Sequence, residues 1–156
     1  MRLLVDGDSC GHRHLILDLA KEYAIELHWA NNVSQNPPAE EEGLKLKVYL
    51  ADAAREAADM ILMNLAATGD VVVTGDLGLA SVVIARGAAA LSPRGHWYYH
   101  AELAQKLEFR HLRQEVKRRG GAMKSSAAKK RFLDEERFEA ELRHAFEGKA
   151  HGADPG

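Results

Sequence analysis

The sequence predicts a single α/β domain built on a central, mostly parallel sheet of about five strands that is flanked by helices. Short apolar runs rich in β-branched residues alternate along the chain with helical patterns, as in proteins whose parallel strands are joined by crossover helices. The chain has 156 residues, of which 46% are apolar, which is enough for one hydrophobic core but short for two. No apolar run reaches the roughly 18 residues that a membrane span requires.

Five apolar runs are predicted to form the strands, because each is short and is bounded by polar residues or glycine. The prediction for the last of them depends mainly on its position after a crossover helix. In chain order the predicted strands are Leu3–Asp6, Ile25–Ala30, Leu44–Leu50, Val71–Thr74 and Ala88–Leu91.

The segments between and after the strands carry helical patterns. The fourth of these ends at Gly120-Gly121, a typical helix C-cap, and the last is amphipathic. The predicted helices are His14–Tyr23, Asp52–Ala67, Gly78–Arg86, Leu103–Arg119 and Asp134–Phe146.

The remaining segments define the predicted domain organisation. Residues 31–43 contain three asparagines, two of them adjacent, two prolines and three successive acids, and this length and composition indicate a flap. Residues 1–147 are predicted to form one domain, whose C-terminal part from about residue 99 is basic and helical. Residues 148–156 are expected to form a disordered tail.

The charges are divided unevenly along the chain although the net charge is only -2. Between Ala104 and Arg137 there are eleven Lys or Arg and five acidic residues. Lys and Arg bind phosphates without reading base sequence, so we expect the basic segment 106–131 to contact nucleic acid, with RNA as the favoured partner. An ordinary charged helix face is the alternative interpretation.

Cysteine content and the first residues indicate the compartment. Cys10 is the single cysteine, which excludes an intramolecular disulfide and fits a reducing environment. The chain reaches Asp6 before a signal-peptide core could form. We therefore expect a cytoplasmic protein with no membrane segment, and a homo-oligomer is compatible with the sequence.

Three aspartates follow the carboxyl ends of two predicted strands. Asp6 and Asp8 come after the first strand, and Asp76 comes after the fourth. In parallel sheets this edge forms the ligand crevice, and clustered carboxylates suit hard cations such as Mg²⁺ or Mn²⁺. The sequence therefore predicts a divalent-metal site, with a solvated strand end and a helix cap at Asp76 as the alternatives.

Two other acids are harder to place in that site. Asp70 begins the fourth strand, about 20 Å from Asp76 at 3.3 Å per residue, so we interpret it as a turn residue. Asp59 points away from the expected core face of its helix, and periodicity alone places it and Glu56 on a solvated face. That expected core face is Ala54, Ala58, Ile61 and Leu65.

Acids around a divalent metal suit phosphodiester hydrolysis, because the ion activates water and neutralises charge on the phosphate. Arg94, on a turn after the fifth strand, is the best candidate for contacting the scissile phosphate, with a structural salt bridge as the alternative. A haloacid-dehalogenase-type phosphatase also begins with a strand followed by Asp, any residue and Asp. It needs a further acid about four residues after its Gly-Asp, where this chain has Ala80, and so it is less favoured.

Several short blocks resemble the bacterial YaiI/YqxD family over roughly residues 1–146, and the block from Gly69 to Asp76 is the most specific. The family opening with Cys-Pro is changed here to Cys10-Gly11, and its C-terminal Pro-Phe element to Arg131-Phe132. The matching blocks are Val5-Asp6-Gly7-Asp8-Ser9-Cys10, Ala30-Asn31, Glu56-Ala57-Ala58-Asp59, Gly69-Asp70-Val71-Val72-Val73-Thr74-Gly75-Asp76-Leu77-Gly78-Leu79-Ala80 and Ser92-Pro93-Arg94-Gly95.

The resemblance implies a three-layer fold like that of PIN-type nucleases and a Mg²⁺- or Mn²⁺-dependent nuclease acting on RNA or single-stranded nucleic acid. It implies an acidic cluster of Asp6, Asp8, Asp59 and Asp76, in which Asp59 acts as a ligand or a water-orienting base. The expected substrate-binding residues are Asn31, Thr74, Ser92 and Arg94. The alternative function is a non-catalytic module of the same fold that binds metal and nucleic acid.

Overall fold

The computed structural model describes residues 1–32, 35–52, 57–103 and 127–148. Its centre is a five-stranded sheet in the order β3-β2-β1-β4-β5, in which every pair of neighbouring strands is parallel. The predicted α/β fold class is therefore confirmed. The strands are β1 (Arg2–Asp6), β2 (Glu26–Asn32), β3 (Leu46–Ala51), β4 (Val71–Val73) and β5 (Ala89–Leu91).

Helices cover both faces of the sheet, which gives three layers with two apolar cores. Side chains alternate along a strand, so Leu3 and Val5 face one core while Leu4 faces the other. The first core lies under α1 and α4, and the second lies under α2 and α3. The helices are α1 (Arg13–Glu22), α2 (Ala58–Leu65), α3 (Leu77–Ala85) and α4 (Ala127–Phe146).

Three local predictions are corrected by the structure. Asn31 does not belong to a flap, because β2 continues through it to Asn32. The described helix α2 begins at Ala58, and its fully buried face is Ala58 and Leu62, followed by Ala66. This face is rotated from the expected one, which included Ile61 and Leu65. The last helix begins at Ala127 rather than Asp134.

Some predictions fall outside the described residues. Residues 100–103 are helical, but the rest of the predicted helix Leu103–Arg119, its glycine cap and most of the basic segment 106–131 lie in the gap of the description. The tail after Gly148 and residue Glu56 lie outside as well. Within the described ranges, no helix is both long and apolar enough to cross a membrane.

The amino ends of the strands are held by a partly buried ion pair between Arg2 and Asp70. The Arg2 guanidinium donates to both carboxylate oxygens of Asp70, at 3.0 and 2.6 Å, and to the carbonyl of Leu65 at 3.0 Å. Asp70 is 5% exposed and also accepts the amide of Ala67 at 2.9 Å. Asp70 therefore fastens β1 to the end of α2, on the edge opposite to the predicted site.

Helix α4 packs directly on the turn that follows β5. Gly95 has a φ of +84°, and a Cβ at this position would come within 2.6 Å of the backbone nitrogen of Phe138. Phe138 is fully buried and stacks on His12 with ring centroids 4.8 Å apart. His12 Nε2 in turn lies 2.7 Å from the carbonyl oxygen of Pro93. These contacts join α4, the turn and the start of α1.

Candidate functional site

The strand order places a switch point between β1 and β4. From β1 the chain builds outward through β2 to β3, and it then returns to the other side of β1 to form β4 and β5. At such a point the loops after the two central strands diverge and leave a crevice at the carboxyl edge. The loop from Asp6 to Ser9 and the loop from Thr74 to Asp76 flank this crevice.

Asp6 is a buried carboxylate at the bottom of the crevice. It is 6% exposed and follows Leu4 on the face covered by α2 and α3. Its Oδ2 accepts hydrogen bonds from Thr74 Oγ1 at 2.9 Å and from Ser9 Oγ at 3.1 Å. Burial raises the pKa of the Asp6 carboxyl, the two hydroxyl donors oppose this shift, and the nearby charge of Asp8 adds to it.

The two hydroxyl groups connect Asp6 to the loop after β4. Thr74 Oγ1 accepts the amide of Asp76 at 3.0 Å, and Ser9 Oγ accepts the amide of Gly75 at 3.0 Å. One carboxylate oxygen of β1 is thus linked to two successive amides beyond β4 through two side chains. This network fixes the separation of the two loops across the switch point.

Asp76 caps α3 at the carboxyl edge of the sheet. Its Oδ1 accepts the amides of Gly78 at 2.8 Å and Leu79 at 3.3 Å, so the helix-cap role weighed in the sequence is confirmed. Both amides donate to the same oxygen. A cap of this kind leaves the second oxygen of the carboxylate available for another ligand.

Tyr98 is hydrogen-bonded to the backbone at the start of the loop after β4. It is 7% exposed, and its hydroxyl donates to the carbonyl oxygen of Thr74 at 3.1 Å. Burial raises the pKa of Tyr98 to about 12, the negative charge of Asp76 acts in the same direction, and Arg94 opposes both. The charged groups of Asp76 and Arg94 are therefore both close enough to act on this phenol.

Asp8 and Asp59 are less firmly tied to the crevice. Asp8 is exposed, and its Oδ1 accepts the amide of Asn32 at 3.2 Å, so it links the loop after β1 to the end of β2. Asp59 is half-buried in the first turn of α2, where its Oδ1 accepts the amide of Met60 at 2.9 Å. It is neither fully solvated, as periodicity suggested, nor hydrogen-bonded to Asp6 or Asp76.

Asn31 lies at the same edge but on the other face of the sheet, because it follows Trp29 in the core beneath α1. It is 1% exposed, and its Nδ2 donates to the carbonyls of Asn32 at 2.8 Å and Gln35 at 3.1 Å. In this position it fixes the start of the loop after β2. The structure does not bring it to the face that carries Asp6.

Ser92 and Arg94 belong to the turn after β5. Ser92 is buried, and its hydroxyl accepts the amides of Arg94 at 3.3 Å and His96 at 3.2 Å, so it shapes the turn. Arg94 is exposed, and its Nε lies 3.7 Å from a carboxylate oxygen of Asp134 on α4. The salt bridge weighed for Arg94 is present, and at this length and exposure it leaves the guanidinium free to exchange partners.

The predicted acidic cluster is corrected by the structure, because no three of Asp6, Asp8, Asp59 and Asp76 are arranged so that they could hold a metal ion together. Among the described residues, no three His, Cys, Asp or Glu side chains are arranged so that they could hold a metal ion. Mg²⁺ is often bound through one or two carboxylates, with waters and substrate phosphates completing its shell. Asp6 and Asp76 are the two acids whose strands the hydroxyl network links across the switch point, and only a site of that smaller kind is compatible with these residues.

Two residues of this edge were not predicted from the sequence. Ser9 stands directly after the Asp-Gly-Asp run, which is the one local signal that could have found it. Tyr98 lies 24 residues from the loop that it supports, and no spacing rule connects them.

Comparison with known proteins gives a consistent set of relatives. A 30% identical relative is a UPF0178 protein of Alkaliphilus metalliredigens, matched over 91% of this chain and 89% of its own. UPF0178 protein Lmo1456 of Listeria monocytogenes is 34% identical over 87% of both chains. UPF0178 protein BH1374 of Halalkalibacterium halodurans is 35% identical over 87% of this chain and 84% of its own.

Among solved structures, the chain is similar to Rae1 (YacP) from Bacillus subtilis, solved as a W164L mutant, with a TM-score of 0.44 and 17% identity. That likeness covers 96% of this chain and 100% of the other, but it is too loose to support an argument about the site. The model of the YaiI/YqxD family, described as an uncharacterised bacterial group, matches residues 4–148. The chain therefore belongs to the YaiI/YqxD family.

Proposed function

We propose that this protein is a Mg²⁺- or Mn²⁺-dependent nuclease that hydrolyses phosphodiester bonds in RNA or single-stranded nucleic acid. The observation that carries the proposal is the linkage of Asp6 to the loop of Asp76 across the switch point, through the hydroxyls of Thr74 and Ser9. Carboxylates from two separate strands are thereby held at the edge where parallel sheets bind their ligands.

A cation suits the electrostatics of this edge. Asp6 is buried, and its nearest partners are two hydroxyl groups and a second carboxylate. Burial raises the pKa of Asp6, and the hydroxyl donors offset this only in part, so a positive ion beside the carboxylate would stabilise its charged form further. When bound, a divalent ion would activate water and neutralise charge on the phosphate.

In this proposal Asp6 and Asp76 are the ligands, and Asp8 serves as a ligand to bound water. Asp59, in the first turn of α2, is a water-orienting base. Arg94 leaves Asp134 to contact substrate phosphate.

The described end of the basic segment supports a nucleic-acid substrate. Lys129, Lys130 and Arg131 are all exposed at the start of α4, the helix that packs on the turn of Arg94. Cations there could neutralise a phosphate backbone that leaves the crevice.

A second candidate is a non-catalytic module that binds metal and nucleic acid at the same places. It is favoured by the lack of a three-residue metal cluster among the described residues, since fewer protein ligands hold a catalytic ion less firmly.

Labelled single-stranded RNA incubated with the protein in Mn²⁺, with calorimetric Mn²⁺ titration alongside, distinguishes the two candidates. We expect cleavage that EDTA abolishes and that Asp76→Asn reduces at least about tenfold, because asparagine still caps α3 but binds the ion poorly. Asp18→Asn makes the same charge change at a side chain that is 74% exposed on α1, and it should leave cleavage unchanged. Saturable Mn²⁺ binding without cleavage would favour the module, and absence of both would contradict the proposal.

A further inference from the structure

Strand β3 is an outer strand of the sheet. It pairs with β2 on one side, and no strand of the described ranges pairs with its other side. It runs for six residues, from Leu46 to Ala51, and Leu50 is 52% exposed on it. An outer strand presents a row of unpaired amide and carbonyl groups, which is a template for pairing with another chain.

Hydrogen bonding within the sheet shows which groups of β3 face outward. The amide of Leu27 donates to the carbonyl of Lys45 at 2.8 Å, so the backbone of Lys45 points toward β2. Successive residues of a strand point their amide and carbonyl groups to alternate sides. The outward groups of β3 are therefore those of Leu46, Val48 and Leu50.

We propose that β3 pairs with β3 of a second copy of this chain, antiparallel and centred on Val48. A two-fold axis perpendicular to the sheet then joins two five-stranded sheets into one of ten strands. The outward groups form hydrogen-bonded pairs between Val48 and its own counterpart, and between Leu46 and Leu50 in both directions.

The side chains in this register favour a second copy as the partner. Val48 meets Val48, and Leu46 meets Leu50, on the face that belongs to the core under α1 and α4. On the other face Lys47 stands opposite Tyr49, so that its ammonium can reach an aromatic ring of the other copy. Within one chain the Lys47 Nζ lies 5.5 Å from the Tyr49 ring centre. The lysine is therefore long enough to make a cation–π contact with a neighbouring tyrosine on this face.

Shifting the register by one residue pair is less favourable. Centring the axis on Tyr49 would place Leu46 opposite Asp52 and Lys47 opposite Ala51, which pairs an apolar side chain with an acid and leaves the lysine without its ring.

A cavity beside β3 adds apolar surface to the interface. It has a volume of about 470 Å³, lies between the strand and α2, and is open to solvent. It is lined by Tyr49, Leu50, Ile61, Asn64 and Leu65. In the paired register the Lys47 and Tyr49 side chains of the other copy lie next to its opening, so the dimer would cover this surface.

The proposal is independent of the nuclease proposal. Antiparallel pairing turns the carboxyl edges of the two sheets to opposite ends, so neither copy contributes to the crevice of the other. Loss of the dimer should leave metal binding unchanged, and loss of the metal site should leave the dimer unchanged.

Sedimentation equilibrium of the full chain between 1 and 200 µM tests the dimer. We expect a species of twice the 17.2 kDa chain mass and a dissociation constant that Val48→Pro raises at least about tenfold, because proline removes an outward amide from each copy. Val48→Lys should weaken the dimer as well by placing like charges opposite each other. Val82→Lys, at an exposed position on α3, is the matched control and should have no effect. A wild-type monomer up to 200 µM, or a dimer unaffected by either change at Val48, would overturn the proposal.

Disulfide crosslinking tests the register. In a Cys10→Ser background, Val48→Cys should form a covalent dimer on mild oxidation, because hydrogen-bonded partners lie about 5.5 Å apart at Cα. Leu50→Cys is more exposed than Val48 but faces Leu46, so it should crosslink more slowly. Faster crosslinking at Leu50 would indicate random collision or a bound peptide of another protein, and would contradict the two-fold axis at Val48.

Discussion

At the scale of single residues, the candidate site depends on hydroxyl groups as much as on carboxylates. Asp6 is held by Thr74 and Ser9, and these side chains carry the connection to the amides of Gly75 and Asp76. A buried carboxylate with two hydroxyl donors has a fixed orientation. The network therefore fixes the Asp6 carboxylate relative to the backbone of Gly75 and Asp76.

Thr74→Val should destabilise the protein by about 2 kcal/mol, because it removes a donor from buried Asp6 and an acceptor from the amide of Asp76 at nearly constant volume. Urea unfolding measures this loss. Thr68→Val is the control, since the Thr68 hydroxyl is exposed and makes only a 3.5 Å contact with the carbonyl of Arg86. Equal effects of the two substitutions would contradict the network.

Tyr98→Phe should change how stability depends on pH at the alkaline end. Below pH 10 the phenol is protonated in both the folded and the unfolded chain, so the contribution of Tyr98 is fully present. Burial raises the folded pKa to about 12, so stability is lost as the pH rises from 10 toward 12. The unfolding free energy of the wild type should therefore fall by roughly 2 to 3 kcal/mol relative to that of Tyr98→Phe over this window. Parallel curves would contradict the burial of the phenol.

The acids were predictable from local sequence, and their supports were not. Asp6 and Asp76 each follow an apolar run, so strand ends alone locate them. Asp70 was correctly excluded, but its ion pair with Arg2 joins residues 68 positions apart, which no pattern reveals. The role of Tyr98 could not be predicted for the same reason, because Tyr98 lies 24 residues from Thr74.

At the scale of elements, the strands were predictable within two residues because apolar runs and glycine boundaries mark them. The helices were harder to predict. The helical pattern of α2 predicted the wrong core face. Ile61 and Leu65 were expected there, whereas Ala58, Leu62 and Ala66 are the buried residues. The start of α4 was missed because its first residues are small, polar and basic rather than amphipathic.

Gly95→Ala tests the docking of α4 on the turn after β5. The added Cβ would clash with the α4 backbone, and the φ of +84° is unfavourable for alanine, so we expect a loss of about 2 to 4 kcal/mol in the free energy of unfolding. Gly11→Ala is the control, because nothing lies within 4 Å of its Cβ position and its φ is not in the left-handed region. It should change stability by less than about 1 kcal/mol. A tolerated Gly95→Ala would mean that α4 does not pack on this turn.

At the scale of the whole molecule, the two edges of the sheet have different roles. The amino edge is closed by the ion pair of Arg2 with Asp70. The carboxyl edge carries Asp6, Asp8 and Asp76 around the switch point between β1 and β4. One edge thus carries an ion pair, and the other carries carboxylates whose described donors are hydroxyl and amide groups.

The central claim is that these carboxylates hold a divalent ion. Anomalous scattering from crystals soaked in Mn²⁺ tests it most directly. The account predicts a peak about 2 to 2.5 Å from carboxylate oxygens of Asp6 and Asp76, which disappears in crystals of the Asp76→Asn variant. The account would be contradicted if Mn²⁺ peaks appeared only elsewhere on the protein. It would also be contradicted if no peak appeared at saturating Mn²⁺.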